Sequence, residues 1–334
     1  MNSKPRIAIL GVTGAVGQEL LSLLEERKFP FTELKLLASD KSAGKKIKFK
    51  GQTLSIEEAQ PSSFKGIDLV LASAGAAVSR ELVPEAVKQG AVVVDNTSAF
   101  RMDPNIPLVI PEINPDEISK HKGIIANPNC STIIMAVPLY PIHKAAGVKR
   151  AVVSTYQAAS GAGMKAMQEL EEQAREVLAG KPPTRKIFRH QIAFNLFSHD
   201  SKIRDDGFTE EEYKMIQETR KIFCEPEFRL VPTTIRVPVL RAHSESIVVE
   251  LEEPLSEEEA RRIFSKAPGV SVVDDRAANY FPMPIEASGK DNVLVGRIRK
   301  DPSVANGLAF FVSGDQLRKG AALNAVQIAE ILLG

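Results

Sequence analysis

The sequence is short of cysteine, of net charge and of long apolar runs, and each shortage removes a class of protein. Two cysteines, Cys130 and Cys224, among 334 residues cannot build a disulfide framework, and no Cys/His cluster has the spacing of a zinc site. A reducing compartment is expected, and no metal. Lys and Arg number 43 against 42 Asp and Glu, so a net charge of +1 leaves no global field to gather nucleic acid or an anionic membrane surface. No nucleic-acid or membrane partner is expected. The opening MNSKPRIAILG holds an apolar run too short for a signal-peptide core, and no later run reaches the ~18 apolar residues of a membrane span. The expected location is cytoplasmic.

What is present suits a globular chain. Hydrophobic residues make up 43% and charged residues 25%, enough for a large core, and the length fits two domains. IAIL at 7–10 reads as a buried parallel strand, followed by Gly11, Gly14 and Gly17 and the amphipathic QELLSLLEERKF. LKLLA at 34–38, LVLAS at 69–73, a helical SRELVPEAVKQG, VVVD at 92–95 and IIAN at 124–127 continue the alternation, which predicts a parallel sheet with helical crossovers. KKIKFKGQTLSI has a period of two and predicts an exposed hairpin. Beyond residue 150 the segments AVVSTYQA, RLVPTTIRVPVL, ESIVVELEE, NVLVGRIRK and GLAFFVSG alternate, as strands of a mostly antiparallel sheet do. Thr209 with Glu212 and Ser256 with Glu259 form capping boxes, and KGAALNAVQIAEILL reads as a helix returning to the first domain. The fold class is therefore α/β: a Rossmann-type dinucleotide-binding domain over 1–129 and 315–334, and an α+β domain with a mostly antiparallel sheet over 130–314.

The glycines at 11, 14 and 17 put bare backbone where a strand turns into a helix, so amide N–H groups and the positive helix end can face a pyrophosphate. The second strand ends at Ser39-Asp40-Lys41-Ser42, where an adenosine ribose should lie. Asp40 suits a free 2'-hydroxyl, whereas Lys41, Ser42 and Lys45 offer donors to a 2'-phosphate, and NADP is the preferred reading.

Cys130, in NPNCSTIIMAV, falls at the start of a helical run, where unpaired amides stabilise a thiolate. It is either a nucleophile or a small packed side chain; Cys224 is read as the latter. Five histidines are available, and local sequence barely separates them. His243 follows Arg236 at an odd offset, so the two share a pocket only if the chain bulges or turns between them, as Pro238 allows. Glu211 and Lys214 lie on one helix face, Arg101 follows a strand end, and Gln157 precedes a small-residue loop holding Ser160 and Gly161.

Together GVTGAVG, DNTSAFRMD, NPNCST, STYQAASGAG, the EEEYK helix start, RVPVLRAHSES and KGAALNAVQIAE resemble, in order and from end to end, the bacterial type of aspartate-β-semialdehyde dehydrogenase. The resemblance implies NADPH-dependent reduction of β-aspartyl phosphate to aspartate semialdehyde and phosphate, on the way to lysine, threonine and methionine, in a homodimer built on the second domain. It implies Cys130 as nucleophile, His243 as acid/base, Gln157 as a substrate-orienting residue and Arg236 as the clamp on the α-carboxylate. It puts Arg101 and Lys214 at phosphate, with Asn129 and Glu211 also in the active site. The cofactor is assigned to the turn of Gly11, Val12, Thr13, Gly14, Ala15 and Val16, to Ser39, Asp40, Lys41 and Ser42, to Ser160 and Gly161, and to Gln316.

The chemistry matches this inventory. A thiolate expels phosphate from an acyl phosphate and leaves a thioester able to accept hydride, while a histidine can take the thiol proton and return it later. Other acyl-phosphate reductases, such as N-acetyl-γ-glutamyl-phosphate reductase or relatives of glyceraldehyde-3-phosphate dehydrogenase, share the plan. A thiol acyltransferase or hydrolase and a nucleotide-sensing protein are the readings from other classes.

Overall fold

In the computed structural model, which describes residues 3–334, the apolar run at the start becomes β1 (Arg6–Leu10) and the amphipathic stretch after the glycines becomes α1 (Ala15–Glu26). Alternation continues through β2 (Glu33–Ala38), the hairpin β3 (Lys46–Phe49) and β4 (Gln52–Glu58), β5 (Leu69–Ala72), α2 (Ala76–Lys88), β6 (Val92–Asp95) and β7 (Ile124–Ala126). The strands pair in the order β3-β4-β2-β1-β5-β6-β7, parallel throughout except for the β3–β4 hairpin. Ile7, Ile9, Leu69, Leu71 and Val94 lie at zero exposure because helices cover both faces of such a sheet. The C-terminal helix, Leu323–Leu333, belongs to this unit and packs Leu323, Val326 and Ile328 into its core, and Arg27 pairs with Glu330 at 2.6 Å.

Gly11 has φ of 91°, and a Cβ there would stand 2.5 Å from the carbonyl oxygen of Ser73; at Gly17 it would stand 2.3 Å from that of Gly11. Only glycine lets α1 lie this close to the ends of β1 and β5.

A second compact unit comprises Cys130–Gly320, and the first comprises Met1–Asn129 with Ala321–Gly334. The return to the first unit thus comes at 321, later than the expected 315. Asp315 explains the difference: its carboxylate accepts from Arg241 at 2.7 Å and from the N–H groups of Gly289 at 2.6 Å and Leu317 at 2.9 Å, all within the second unit.

The second unit runs α3 (Cys130–Ala146), β8 (Val148–Gln157), α4 (Met164–Leu178), β9 (Phe197–Ser198), α5 (Glu210–Phe223), β10 (Leu230–Arg236), β11 (His243–Leu251), α6 (Glu257–Lys266), β12 (Val270–Val272), α7 (Pro284–Ala287), β13 (Val293–Lys300) and β14 (Gly307–Gly314). Its sheet has the order β12-β13-β14-β11-β8-β10-β9 and is mixed but mostly antiparallel. β10 lies parallel to β8, as the long crossover through α4 and α5 requires, and β12 lies parallel to β13. Helix α3 is apolar nearly all round because it is enclosed between the sheet and helices α5 and α6. Both capping boxes form, at Thr209/Glu212 and Ser256/Glu259. Among the described residues no helix is long and apolar enough to cross a membrane.

Candidate active site

In the first unit a cleft of about 630 Å³ opens at the carboxyl ends of β1, β2 and β5, where the strand order reverses. Gly11, Thr13, Gly14, Ser39, Asp40 and Ser73 are among its lining residues. Helix α1 begins without a side-chain cap and without an acidic residue in its first turn, so its leading amides face the cleft. A Cβ at Gly14 would meet nothing closer than 3.5 Å. Val12 is fully buried and Val16 packs against the core, so at these two positions the side chains serve packing. Lys41 and Ser42 follow Asp40 in a one-turn 3-10 helix and do not line the cleft. The turn therefore fits an anionic dinucleotide through its backbone.

Arg101 and Asn129 belong to this first unit and are both buried. The Arg101 guanidinium donates from Nε to the carbonyl of Asn127 at 2.9 Å and from Nη2 to that of Asn96 at 2.8 Å, which ties it to the ends of β6 and β7.

The remaining candidates belong to the second unit. Cys130 is the first residue of α3 and His243 the first of β11, and Sγ lies 3.5 Å from Nε2. Ala158 donates its backbone N–H to His243 Nδ1 at 3.0 Å. A nitrogen that accepts cannot carry the proton, so the neutral ring holds it on Nε2, pointed at the sulfur. Burial drives the His243 pKa down to about 3, and the Arg236 guanidinium adds to the effect while Glu211 opposes it. The ring is neutral at physiological pH.

Arg236 and His243 are separated by a turn, as their spacing requires if they share a site: Arg236 ends β10, His243 opens β11, and the two strands flank β8 on opposite sides. The Arg236 guanidinium donates from Nη1 to the carbonyl of Ala158 at 2.9 Å, and its buried Nε has no hydrogen-bond partner among the described residues. A Cβ at Gly161 would stand 3.1 Å from Arg236 Nη1 and from Cε1 and Nε2 of His243, close enough that these side chains or the loop after Gln157 would have to give by a few tenths of an ångström. Gln157, at the end of β8, donates from Nε2 to Ser131 Oγ and to Glu211 Oε1 at 3.3 Å. Glu211 is buried and pairs with Lys214 at 3.4 Å across the expected helical spacing. Gln316 accepts from the Ala242 N–H at 2.9 Å and donates to Ser160, so its amide joins the approach to His243 to the Ser160 loop.

Three features escaped the sequence reading. His199 Nε2 lies 2.8 Å from Arg236 Nη2, and nothing in FSHDSK distinguishes this histidine from the other four. Asp315 was legible only as one acidic residue in GDQ. Glu245, next but one to His243 on β11, is fully buried with neither carboxyl oxygen hydrogen-bonded among the described residues, and burial pushes its pKa well above the ordinary range. Its place in the alternation was the signal, since it shares the inward face with Ile247 and Val249.

A family model described as semialdehyde dehydrogenase, NAD binding domain, matches residues 6–121, and one described as semialdehyde dehydrogenase, dimerisation domain, matches residues 139–319. Fold and matches together define a two-domain semialdehyde dehydrogenase. The chain is 57% identical over 333 residues to an aspartate-semialdehyde dehydrogenase of Synechocystis sp., covering 100% of this chain and 98% of that one. The crystal structure of aspartate semialdehyde dehydrogenase II from Vibrio cholerae complexed with ASA superposes with a TM-score of 0.96 at 44% identity over 98% of both chains. Aspartate semialdehyde dehydrogenase with NADP from Candida albicans gives a TM-score of 0.76 at 25% identity, again over 98% of both. The chain belongs to the aspartate-semialdehyde dehydrogenase family, oxidoreductases of amino-acid biosynthesis.

Proposed function

We propose that this enzyme reduces β-aspartyl phosphate to aspartate semialdehyde and phosphate with NADPH, through a thioester on Cys130. The observation that carries the reading is the contact of Cys130 Sγ with the proton-bearing nitrogen of His243 at the head of α3. A thiol has an ordinary pKa near 8.5, and a helix N-terminus together with an imidazole N–H and a nearby guanidinium stabilises the anion. Attraction between Cys130 and Arg236 is part of the electrostatics at the arginine.

The thiolate attacks the acyl carbonyl, the carbon–sulfur bond forms as the carbon–oxygen bond to phosphate breaks, and phosphate departs. A bound nicotinamide would supply the hydride that the thioester carbonyl accepts. The resulting oxyanion collapses to aldehyde and returns the thiolate. Throughout, the His243 Nε2–H is a donor to the charge on oxygen or sulfur. This differs from a ring that first takes the thiol proton, because Nδ1 already accepts from Ala158 and a neutral ring has no second vacant nitrogen. Arg236 pairs with the planar α-carboxylate, Gln157 orients the substrate, Arg101 and Lys214 offset phosphate charge, and Asn129 and Glu211 complete the lining. The turn at Gly11–Val16 would hold the anionic part of NADP, Lys41 and Ser42 would offer donors to its 2'-phosphate, and Ser160, Gly161 and Gln316 are also assigned to the cofactor.

The protein is proposed to be a homodimer. One face of the second sheet presents Val152, Tyr156, Val231, Ile235, Val248 and Phe311, all half-buried or exposed, within the segment matched by the dimerisation model. A second copy of the same face covers them.

Phosphate-dependent reduction of NADP+ by aspartate semialdehyde, run beside Cys130→Ala and His243→Ala, tests the reading. Loss of all turnover with the first variant, and a slow enzyme that still forms a mass-detectable acyl adduct with the second, is expected. Turnover by Cys130→Ala, or an adduct on another residue, overturns it.

A further inference from the structure

His199 follows the two-residue strand β9, and its backbone N–H donates to the carbonyl of Thr234 at 2.8 Å, which fixes the residue against β10. Its ring then lies beside the end of that strand, with Nε2 2.8 Å from Arg236 Nη2. A guanidinium nitrogen has only donors to offer, so Nε2 must be the acceptor and the neutral ring carries its proton on Nδ1. Nδ1 stands 3.1 Å from Ser201 Oγ, which can accept its proton, while the Ser201 N–H is directed at the same nitrogen at 3.2 Å as a competing donor; the guanidinium, closer and with no acceptor to offer, decides the tautomer. Ser201 Oγ in turn accepts from the backbone N–H of Glu211 at 3.2 Å. One imidazole therefore joins Arg236 on β10 to the start of α5.

We infer that His199 is a positioning residue, holding the Arg236 guanidinium by accepting one of its N–H groups so that the remaining donors face the substrate carboxylate. The inference rests on the reading of Arg236 as the carboxylate clamp. Two anchors define the plane of a guanidinium, and here they are the Ala158 carbonyl at Nη1 and His199 at Nη2. Asp200, 4.0 Å from Arg236, supplies charge but not a close hydrogen bond. Without His199 the arginine keeps its charge and loses its orientation, and a bidentate carboxylate pair depends on orientation.

Protonating His199 would replace the acceptor by a donor directed at a cation. The surroundings discourage this. Burial lowers the His199 pKa; Arg236 and Lys214 push in the same direction, while Glu211 and Asp200 oppose them, and His243 faces it from β11. The acceptor form persists at neutral pH and is lost only on acidification.

The test is steady-state assay of the full-length enzyme with aspartate semialdehyde, phosphate and NADP+, comparing wild type, His199→Leu, His199→Gln and Arg236→Ala. His199→Leu is expected to raise the KM for aspartate semialdehyde by about tenfold or more while kcat stays within about threefold. His199→Gln, whose carbonyl oxygen accepts but does not titrate, should recover most of the loss and should lack the acid rise in KM expected of the wild type. A KM unchanged in His199→Leu, a loss confined to kcat, or the same acid rise in His199→Gln overturns the inference. If His199→Leu does not fold, the wild-type and His199→Gln pH profiles decide alone. Arg236→Ala separates the two ideas: an unchanged KM there defeats the clamp itself, whereas a raised KM there with an unchanged one in His199→Leu defeats only the role of His199.

Discussion

A Cβ on residue 161 would stand 3.1 Å from the Nε2 of His243, the nitrogen that faces Cys130 Sγ. That separation is tight for carbon against a ring held on its far side by the Ala158 N–H, so the ring or the loop must shift by a few tenths of an ångström. Gly161→Ala is therefore expected to reduce kcat by roughly tenfold or more, since small misplacements of a reacting group are costly. The Gly161 side is exposed, so the melting temperature should move little. Wild-type kcat in Gly161→Ala would show that the ring has room it does not have here.

Stability should carry opposite pH signatures from two neighbours on β11. His243 has a folded pKa of about 3 against about 6.5 unfolded, so below 6.5 the unfolded chain binds a proton that the folded one refuses. Its contribution is complete above pH 6.5 and is lost progressively as pH falls toward 3, at up to about 1.4 kcal/mol per pH unit. Glu245 has the reverse sign: its raised pKa means that the folded state holds a proton the unfolded state has released, so stability is lost as pH rises above about 4.5. Denaturant titrations across pH 4 to 8 should show His243→Gln flattening the acid-side loss and Glu245→Gln raising stability at pH 8 relative to wild type. Parallel curves for all three proteins would mean that neither group is buried in the ionisation state described.

In the proposed cofactor placement, the choice of nucleotide turns on adjacent residues of opposite charge. Asp40 and Lys41 are both exposed at the end of β2, with Asp40 lining the cleft. Lys41→Glu should weaken NADPH binding by roughly tenfold, about 1.4 kcal/mol, and leave NADH within about twofold, because only the former carries a 2'-phosphate. Fluorescence titration of both nucleotides measures this directly, and equal weakening of the two would remove Lys41 from the specificity argument.

The apolar face of the second sheet gives a test of assembly. Val231 is 43% exposed, and the Tyr156 and Phe311 rings lie 6.1 Å apart on the same face. Val231→Asp combined with Tyr156→Asp should halve the sedimenting mass without unfolding either sheet, since a charge there is disfavoured only when a partner covers it. An unchanged dimer would assign the interface elsewhere.

Much of this was legible along the chain. Glycines at 11, 14 and 17 between an apolar run and an amphipathic one imply a strand, a close turn and a helix, and at 11 and 17 no other residue tolerates the approach. Cys130 at a helix start was legible for a similar local reason. The parallel pairing of β8 with β10 was not, since alternation reports which face is buried and says nothing of strand direction. Nor was the boundary at 321, set by the contacts of Asp315 with Arg241 and Gly289 from distant segments.

The order of strands and helices, the bare turn and the place of Cys130 at a helix start follow from the sequence alone, because periodicity, glycine sterics and helix-start patterns act over a few residues. Which nitrogen of His243 carries the proton, what steadies Arg236, and why Glu245 stays neutral were decided only in three dimensions. Those depend on a backbone amide at 158, a ring at 199 and the exclusion of water from an inward strand face, and no local pattern encodes partners that meet only when the strands assemble.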